Sequence, residues 1–160
     1  MHNSLVRRCL SPVALLGVLL LASSATAQTT WNESVAKAFE EARTSGRPVV
    51  VFVATDWCHY CKLMQSQTWS HPTISKTVKQ DFIPLKLDGD RDQSIVKELG
   101  LQGYPATLVY TPSGQQLAKK GGFMPAGETY QWLAQAKQRW QVAATTPATT
   151  TPVTTTSRTR

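Results

Sequence analysis

Residues 49–61 read VVVFVATDWCHYC, and this stretch decides the fold. Its first six residues are apolar and mostly β-branched, which is typical of a strand buried on both faces in the middle of a sheet. A turn of three residues follows, and the pattern predicts a helix from Cys58 to about Trp69. The stretch therefore predicts a central strand that leads two cysteines, Cys58 and Cys61, to the start of a helix.

The two cysteines are better suited to chemistry than to stapling the fold. A disulfide between positions three apart closes almost no loop, so it adds little stability. At a helix N-terminus, free amide groups and the positive end of the helix dipole favour a thiolate over a thiol. We predict that Cys58 is the nucleophile and that Cys61, one turn on and facing inward, is the resolving thiol. His59 either stabilises the Cys58 thiolate when protonated or is a solvated residue, and both interpretations stay open.

The other periodicities predict helices between strands, which is typical of an α/β domain. Strands separated by helices imply a parallel portion with right-handed crossovers, and a closing hairpin adds an antiparallel edge. We therefore predict a central mixed β-sheet flanked by helices on both faces. Around the strand 49–54, the predicted elements are a helix carrying Val35, Ala38, Phe39 and Ala42, the helix 58–69, a helix from Pro72, a strand 82–87, a helix carrying Ile95, Val96 and Leu99, strands 106–110 and 116–120, and a last helix carrying Tyr130, Leu133 and Trp140.

Two local features of the second strand need comment. Pro84 is expected to cost this strand one ladder hydrogen bond, because proline has no N–H. Acidic residues then recur over residues 88–92. The run lacks the further oxygen ligands and the closing Glu of a calcium loop, so we interpret it as a helix-capping turn rather than a calcium site.

The first 27 residues have the pattern of a secretory signal peptide. Arg7 and Arg8 precede an apolar run over 12–22, and small residues up to Ala27 provide a cleavage site. The run is shorter than the roughly 20 residues that a membrane-spanning helix needs, so we favour a cleaved signal over an uncleaved anchor and expect no stable membrane insertion. Cys9 would leave with the signal.

After cleavage, residues 28–142 are predicted to form one domain and 143–160 a disordered tail. The tail is dominated by Thr and Pro and cannot bury enough apolar surface to fold. Cleavage removes two of the 17 Lys and Arg residues and none of the 10 acidic ones, so the net charge falls from +7 to +5. Because basic and acidic residues are interspersed, no nucleic-acid surface is predicted. We expect a monomer.

The motif Trp57-Cys58-His59-Tyr60-Cys61 after an apolar strand, with Gly103-Tyr104-Pro105 some forty residues later, resembles the thioredoxin family over essentially the whole domain. The resemblance implies a thioredoxin-like fold and a redox-active disulfide between the two cysteines. It also implies a cis Tyr104–Pro105 bond beside the dithiol, with the Tyr104 backbone free to pair with an extended substrate segment.

Within the family, the runs 54–58, 68–72 and 122–124 resemble the periplasmic C-terminal domain of the membrane disulfide reductase of the DsbD type. One departure is Phe52, which stands where many members have a buried Asp that accepts a proton from the resolving thiol. Lys86 resembles the lysine that neighbours this Asp, and without its partner it is expected to point to solvent.

We therefore predict an exported thiol-disulfide oxidoreductase in the periplasm or outside the cell. Its catalytic residues are Cys58 and Cys61, with no cofactor and no metal. The substrates are expected to be protein disulfides, and the resemblance favours reduction over oxidation. A membrane thiol reductase on a separate chain is a possible electron donor. Trp57, His59, Tyr60, Tyr104 and Pro105 are the predicted supporting and substrate-binding residues.

Two alternatives remain at this point. A copper- or zinc-handling protein could use the two thiolates with a histidine, although a closed structural site would need a further cysteine pair. A binding module with incidental cysteines would require the context of Trp57 and Pro105 to be accidental.

Overall fold

The predicted buried strand is β1 (Val49–Ala54), and all six of its residues are buried. The computed structural model describes residues 29–145. In its four-stranded sheet β1 is parallel to β2 (Ile83–Asp88) and antiparallel to β3 (Ala106–Tyr110), which pairs antiparallel with β4 (Gln116–Gly121). The strand order is β2-β1-β3-β4, so the prediction of a central strand in a mixed sheet is confirmed.

Side chains alternate along β1, so its residues divide between two cores on opposite faces of the sheet. Phe52 and its alternate neighbours face a core that α3 (Pro72–Asp81) and α5 (Ala126–Thr145) cover. The intervening residues face a core covered by α1 (Val35–Ser45) and α4 (Gln93–Glu98). The prediction of helices on both faces is confirmed, and it explains why β1 has no polar side.

The helical stretch after β1 changes type along its length. α2 (His59–Met64) continues directly into a π-helical turn (Gln65–Trp69). This wider turn buries Thr68 and Trp69, and the Thr68 hydroxyl donates to the Met124 carbonyl at 2.6 Å. The stretch therefore ends at the predicted residue, and its last turn is tied to the loop before the final helix.

Pro84 does not cost β2 a hydrogen bond to β1, so that prediction is wrong. The Pro84 carbonyl accepts the Asn32 N–H at 2.9 Å, and Asn32 bridges the outer edge of β2. The N–H and C=O of one strand residue point to the same side, so the missing N–H would also face outward. Proline is tolerated here because β2 is an edge strand.

The last helix runs past the predicted end of the domain. α5 ends at Thr145, so residues 143–145, which the composition assigns to the tail, are helical. The predicted signal peptide and the remainder of the tail lie outside the described residues. Between residues 29 and 145, no helix combines the length and the apolar character that crossing a membrane requires.

Candidate active site

Cys58 and Cys61 lie together at the start of α2 and form a disulfide, with their Cα atoms 5.2 Å apart. Cys58 is the N-cap residue, and its Sγ accepts the Cys61 N–H at 3.1 Å. In the reduced state such a hydrogen bond favours a thiolate on Cys58, because it stabilises the charged form. The exposed fraction is 6% for Cys58 and 2% for Cys61, so both residues are buried, Cys61 slightly more than Cys58.

The loop before β3 contacts the turn before Cys58 through Tyr104. The Tyr104 ring packs edge-on against Trp57, with 5.9 Å between ring centroids, and it borders the core that contains both cysteines. The bond between Tyr104 and Pro105 is cis, the geometry implied by the resemblance. Pro105 is buried, and its carbonyl accepts the Gly122 N–H at 2.8 Å. The turn that carries Trp57 and the loop that carries Tyr104, which were both identified from sequence motifs, are thus in contact.

Two exposed aromatic side chains lie next to the cysteines in the chain, Trp57 before Cys58 and Tyr60 before Cys61. Trp57 is 68% exposed and Tyr60 is 59% exposed, both large values for such apolar groups. Tyr60 lies 6.4 Å from the partly buried Phe123 and 5.6 Å from the exposed His59, between ring centroids. We call Trp57, Tyr60, Tyr104 and Phe123 the aromatic rim. The aromatic rim offers an apolar surface to which a protein segment can bind.

The acidic turn (residues 88–92) positions part of this rim, a role the sequence did not reveal. Asp90 accepts the Trp57 Nε1–H at 3.0 Å. Asp88 in turn accepts the backbone N–H groups of Asp90 and Arg91, and these bonds, with the charge of Arg91, hold the pKa of the Asp88 carboxyl below its usual value. Parallel pairing places Asp88 opposite Ala54, so the turn starts at the same edge of the sheet as the cysteine loop.

The side chain of Asp92 does not cap α4, which corrects the interpretation of residues 88–92 as a helix-capping turn. It occupies the N-cap position of α4, but its side chain makes no capping bond to the helix. Its carboxylate instead accepts the Asp88 N–H at 2.9 Å. The acidic side chains therefore hold the turn in shape, and the position of Asp92 is the only part of the capping prediction that is correct.

Replacing Asp90 with alanine should lower kcat/KM for reaction with a protein disulfide about fivefold, which corresponds to a hydrogen bond worth about 1 kcal/mol. The reason is that Trp57 loses the bond that fixes its exposed indole. The rate should recover in Asp90→Asn, which keeps an acceptor oxygen. Glu98→Ala, at an exposed position on α4, is the control and should leave the rate unchanged. Equal rates for Asp90→Ala and the native protein would refute this role.

Gly89 explains why the acidic turn can approach the site so closely. A Cβ atom at this position would lie 2.5 Å from Tyr104 Cζ and 2.7 Å from Thr55 Cγ2. Contacts this short do not occur, so any larger residue must displace one of these side chains. The Gly89 N–H also donates to the Ala54 carbonyl at 2.8 Å, which fastens the turn to the end of β1.

Phe52 stands in an aromatic cluster and not in a polar setting. It is fully buried, and its ring centroid lies 5.8 Å from that of Trp31 and 5.5 Å from that of Trp69. Lys86, its register partner on β2, donates to Gln65 Oε1 at 3.4 Å and is partly buried. This hydrogen bond lies at an exposed position, so the Lys86 ammonium reaches the surface, in agreement with the expectation that it points to solvent.

Within residues 29–145, no group of three or more His, Cys, Asp or Glu side chains is arranged to hold a metal ion.

Comparison with known sequences places the site among thiol-disulfide proteins. A family profile described as a thioredoxin-like domain matches residues 35–137. The thiol:disulfide interchange protein DsbD of Klebsiella pneumoniae is 30% identical over 91 residues, covering 53% of this chain and 15% of that protein. The DsbD of an Escherichia coli O6:H1 strain is 28% identical over 117 residues, covering 67% of this chain and 20% of that protein. The chain thus spans a fifth or less of the length of these relatives.

Solved structures show the same fold. A thioredoxin from Thermus thermophilus superposes with a TM-score of 0.66 at 21% identity, covering 73% of this chain and 93% of that one. The reduced form of the C-terminal domain of Neisseria meningitidis DsbD superposes with a TM-score of 0.56 at 26% identity, covering 63% of this chain and 91% of that one. The resemblance stated from the motifs is confirmed in both sequence and fold.

Proposed function

The chain belongs to the thioredoxin-like domain family, and on this premise we propose that it is an exported thiol-disulfide oxidoreductase that reduces disulfides in proteins. The observation that carries the proposal is the Cys58–Cys61 disulfide at the start of α2, with the Cys61 N–H directed at the Cys58 sulfur. A disulfide that spans three positions adds little to stability, so its value lies in being made and broken.

The first step is attack of the Cys58 thiolate on a substrate disulfide. A bond forms between Cys58 Sγ and one substrate sulfur, and the substrate disulfide breaks. The other substrate sulfur leaves as a thiolate and takes a proton from solvent. The hydrogen bond from the Cys61 N–H favours the thiolate of Cys58, which is the form that reacts.

The second step is attack of Cys61 on Cys58 Sγ. The mixed disulfide breaks, the substrate leaves with its second thiol, and the Cys58–Cys61 disulfide forms. The substrate gains two electrons and two protons, and the protein dithiol loses them. A reductant must then restore the dithiol, and we propose a membrane thiol reductase for this task because the DsbD relatives join such a domain to a larger chain.

We propose that the substrate binds to the aromatic rim. Trp57 and Tyr60 expose apolar surface beside the sulfurs, and aromatic groups contribute strongly to protein contacts. The backbone of Tyr104, next to buried Pro105, would pair with an extended substrate segment. We propose proteins with accessible disulfides as the substrate class. Export, to the periplasm or beyond, follows from the signal-like pattern that ends at Ala27.

The reduction potential tests the proposed direction. After equilibration with dithiothreitol or glutathione buffers, we expect the dithiol to lie nearer the roughly −270 mV of thioredoxin than the roughly −120 mV of a strong oxidant. A reduction potential near that of the strong oxidant would indicate an oxidase instead of the proposed reductase. Stoichiometric copper binding without any exchange activity would instead favour the metal-handling hypothesis.

A further inference from the structure

Two sequence runs that resemble the DsbD type, 68–72 and 122–124, are far apart in the chain but meet in the structure. Thr68, the first residue of one run, donates its hydroxyl hydrogen to the carbonyl of Met124, the last residue of the other, at 2.6 Å. Both residues are fully buried. Because a hydrogen bond away from water is electrostatically stronger, this bond fixes the two runs against each other.

The π-helical turn (Gln65–Trp69) explains how Thr68 reaches this position. α2 carries the dithiol at its start and passes without a break into this turn. A π-helical turn has i→i+5 bonds and so contains one more residue than an α-helical turn, which rotates the residues at its end relative to a regular helix. Residues 65–67 are exposed, whereas Thr68 and Trp69 are buried. One helical stretch therefore presents the dithiol at its first turn and the Thr68 hydroxyl at its last.

Hydrogen bonds hold the loop before α5 on both sides of Phe123. The Gly122 N–H donates to the Pro105 carbonyl at 2.8 Å. On the other side, the Met124 carbonyl accepts a second hydroxyl hydrogen, from the buried Thr129 at 3.3 Å. A carbonyl oxygen has two lone pairs, and both are engaged here. The backbone of Phe123 is therefore fixed between the cis-proline loop and the end of the π-helical turn.

The Phe123 ring packs beside the segment that carries the sulfurs. It is partly buried against the core that contains Cys58 and Cys61. Its centroid lies 6.4 Å from that of Tyr60, the exposed residue that directly precedes Cys61 in the chain. The loop before α5 thus contacts the cysteine segment through this ring and the cis-proline loop through its backbone.

We propose that Phe123 determines a preference for protein disulfides over small disulfides and that Thr68 is its positioning residue. This inference rests on the proposed function and specifies the substrate class of the same site. A protein disulfide carries chain on both sides of its sulfurs, and this chain can cover the Phe123 ring while Cys58 attacks. Bis(2-hydroxyethyl) disulfide has only two carbons on each side and can bury far less of the ring. Aromatic groups that become buried on binding contribute strongly to affinity.

The test compares the second-order rate constants with which the reduced protein is oxidised by insulin and by bis(2-hydroxyethyl) disulfide. Acid quenching and alkylation of the remaining thiols follow both reactions in a single turnover. The selectivity ratio is the constant for insulin divided by that for the small disulfide. We expect this ratio to fall about fivefold in Phe123→Ala, the effect of losing one aromatic contact. It should fall about threefold in Thr68→Val, because the loss of a hydrogen bond loosens the loop that carries the ring.

A double variant shows whether Thr68 acts through Phe123. Once the ring is absent, Thr68→Val should not lower the selectivity ratio any further. Thr68→Ser keeps the hydroxyl and should restore the native ratio. If Thr68→Val does not fold, Thr129→Val removes the longer bond to the same carbonyl and takes its place in the cycle.

Thr111→Val is the matched control for the loss of a buried hydroxyl. The Thr111 hydroxyl accepts the Gln115 N–H at 3.0 Å, and the residue follows β3 at the end of that strand away from Pro105. The variant also loses a bond between a buried threonine and the backbone. It should nevertheless keep the native selectivity ratio.

The outcomes separate this inference from the function on which it rests. An unchanged selectivity ratio in Phe123→Ala, in a protein that reacts with both disulfides, would overturn the inference and leave the oxidoreductase intact. A further loss in the double variant would show that Thr68 does not act through Phe123 and would overturn its positioning role. A native protein that reacts with neither disulfide would overturn the proposed function, and the inference with it.

Discussion

Cys58→Ser is expected to reduce insulin at a rate at least about a hundredfold below that of the native protein, because a serine hydroxyl is not ionised at neutral pH and cannot form the mixed disulfide. Cys61 cannot take over the attack, since it is 2% exposed and lies behind Cys58 in the helix. The measurement is insulin turbidity with dithiothreitol as the reductant.

Cys61→Ser is the matched variant, because it loses the second sulfur but keeps the first attack. We expect it to accumulate a mixed disulfide with insulin, visible as a covalent adduct on a nonreducing gel. The adduct should be absent in the Cys58→Ser protein. If Cys58→Ser formed the adduct and Cys61→Ser did not, the nucleophilic and resolving roles would be reversed.

The parts of this molecule that can be predicted from the sequence depend on local patterns. The predicted bounds of β1 agree with the observed ones at both ends. An apolar run between two turns is stable as a strand only in the middle of a sheet, where both of its faces are buried. The start of α2 follows from the turn before Cys58, and the pairing of Tyr104 with the cysteine loop follows from the family motif. Each of these depends on neighbours in the chain or on a known spacing.

The parts that sequence reasoning misses depend on contacts between distant segments. Asp90 meets Trp57 across 33 positions, and Gly89 meets Tyr104 across 15. The periodicity of apolar residues in the sequence does not predict such contacts. A clue does exist, because the carboxyl ends of parallel β1 and β2 must share one edge of the sheet. The predicted order of strands and helices therefore already implies that the acidic turn lies beside the cysteine loop.

Gly89→Ala is expected to lower the free energy of unfolding by roughly 2 kcal/mol, the usual cost of forcing an extra carbon into a packed site. The added methyl group would lie 2.5 Å from Tyr104 Cζ, so the ring must shift from its present contact with Trp57. Since Tyr104 carries the backbone proposed to pair with substrate, we expect kcat/KM for insulin reduction to fall about tenfold as well, a loss of roughly 1.4 kcal/mol of transition-state binding. Urea unfolding and the insulin assay measure the two effects.

Gly103→Ala is the matched control, because a Cβ there meets nothing within 4 Å although the residue precedes Tyr104 in the same loop. It should be nearly neutral in both assays. Combining Gly89→Ala with Tyr104→Leu should recover part of the stability, since the clashing ring atoms are gone, but not the activity. A fully stable and active Gly89→Ala protein would mean that the acidic turn can move away freely. The turn would then not be what fixes Tyr104 and Trp57 beside the dithiol.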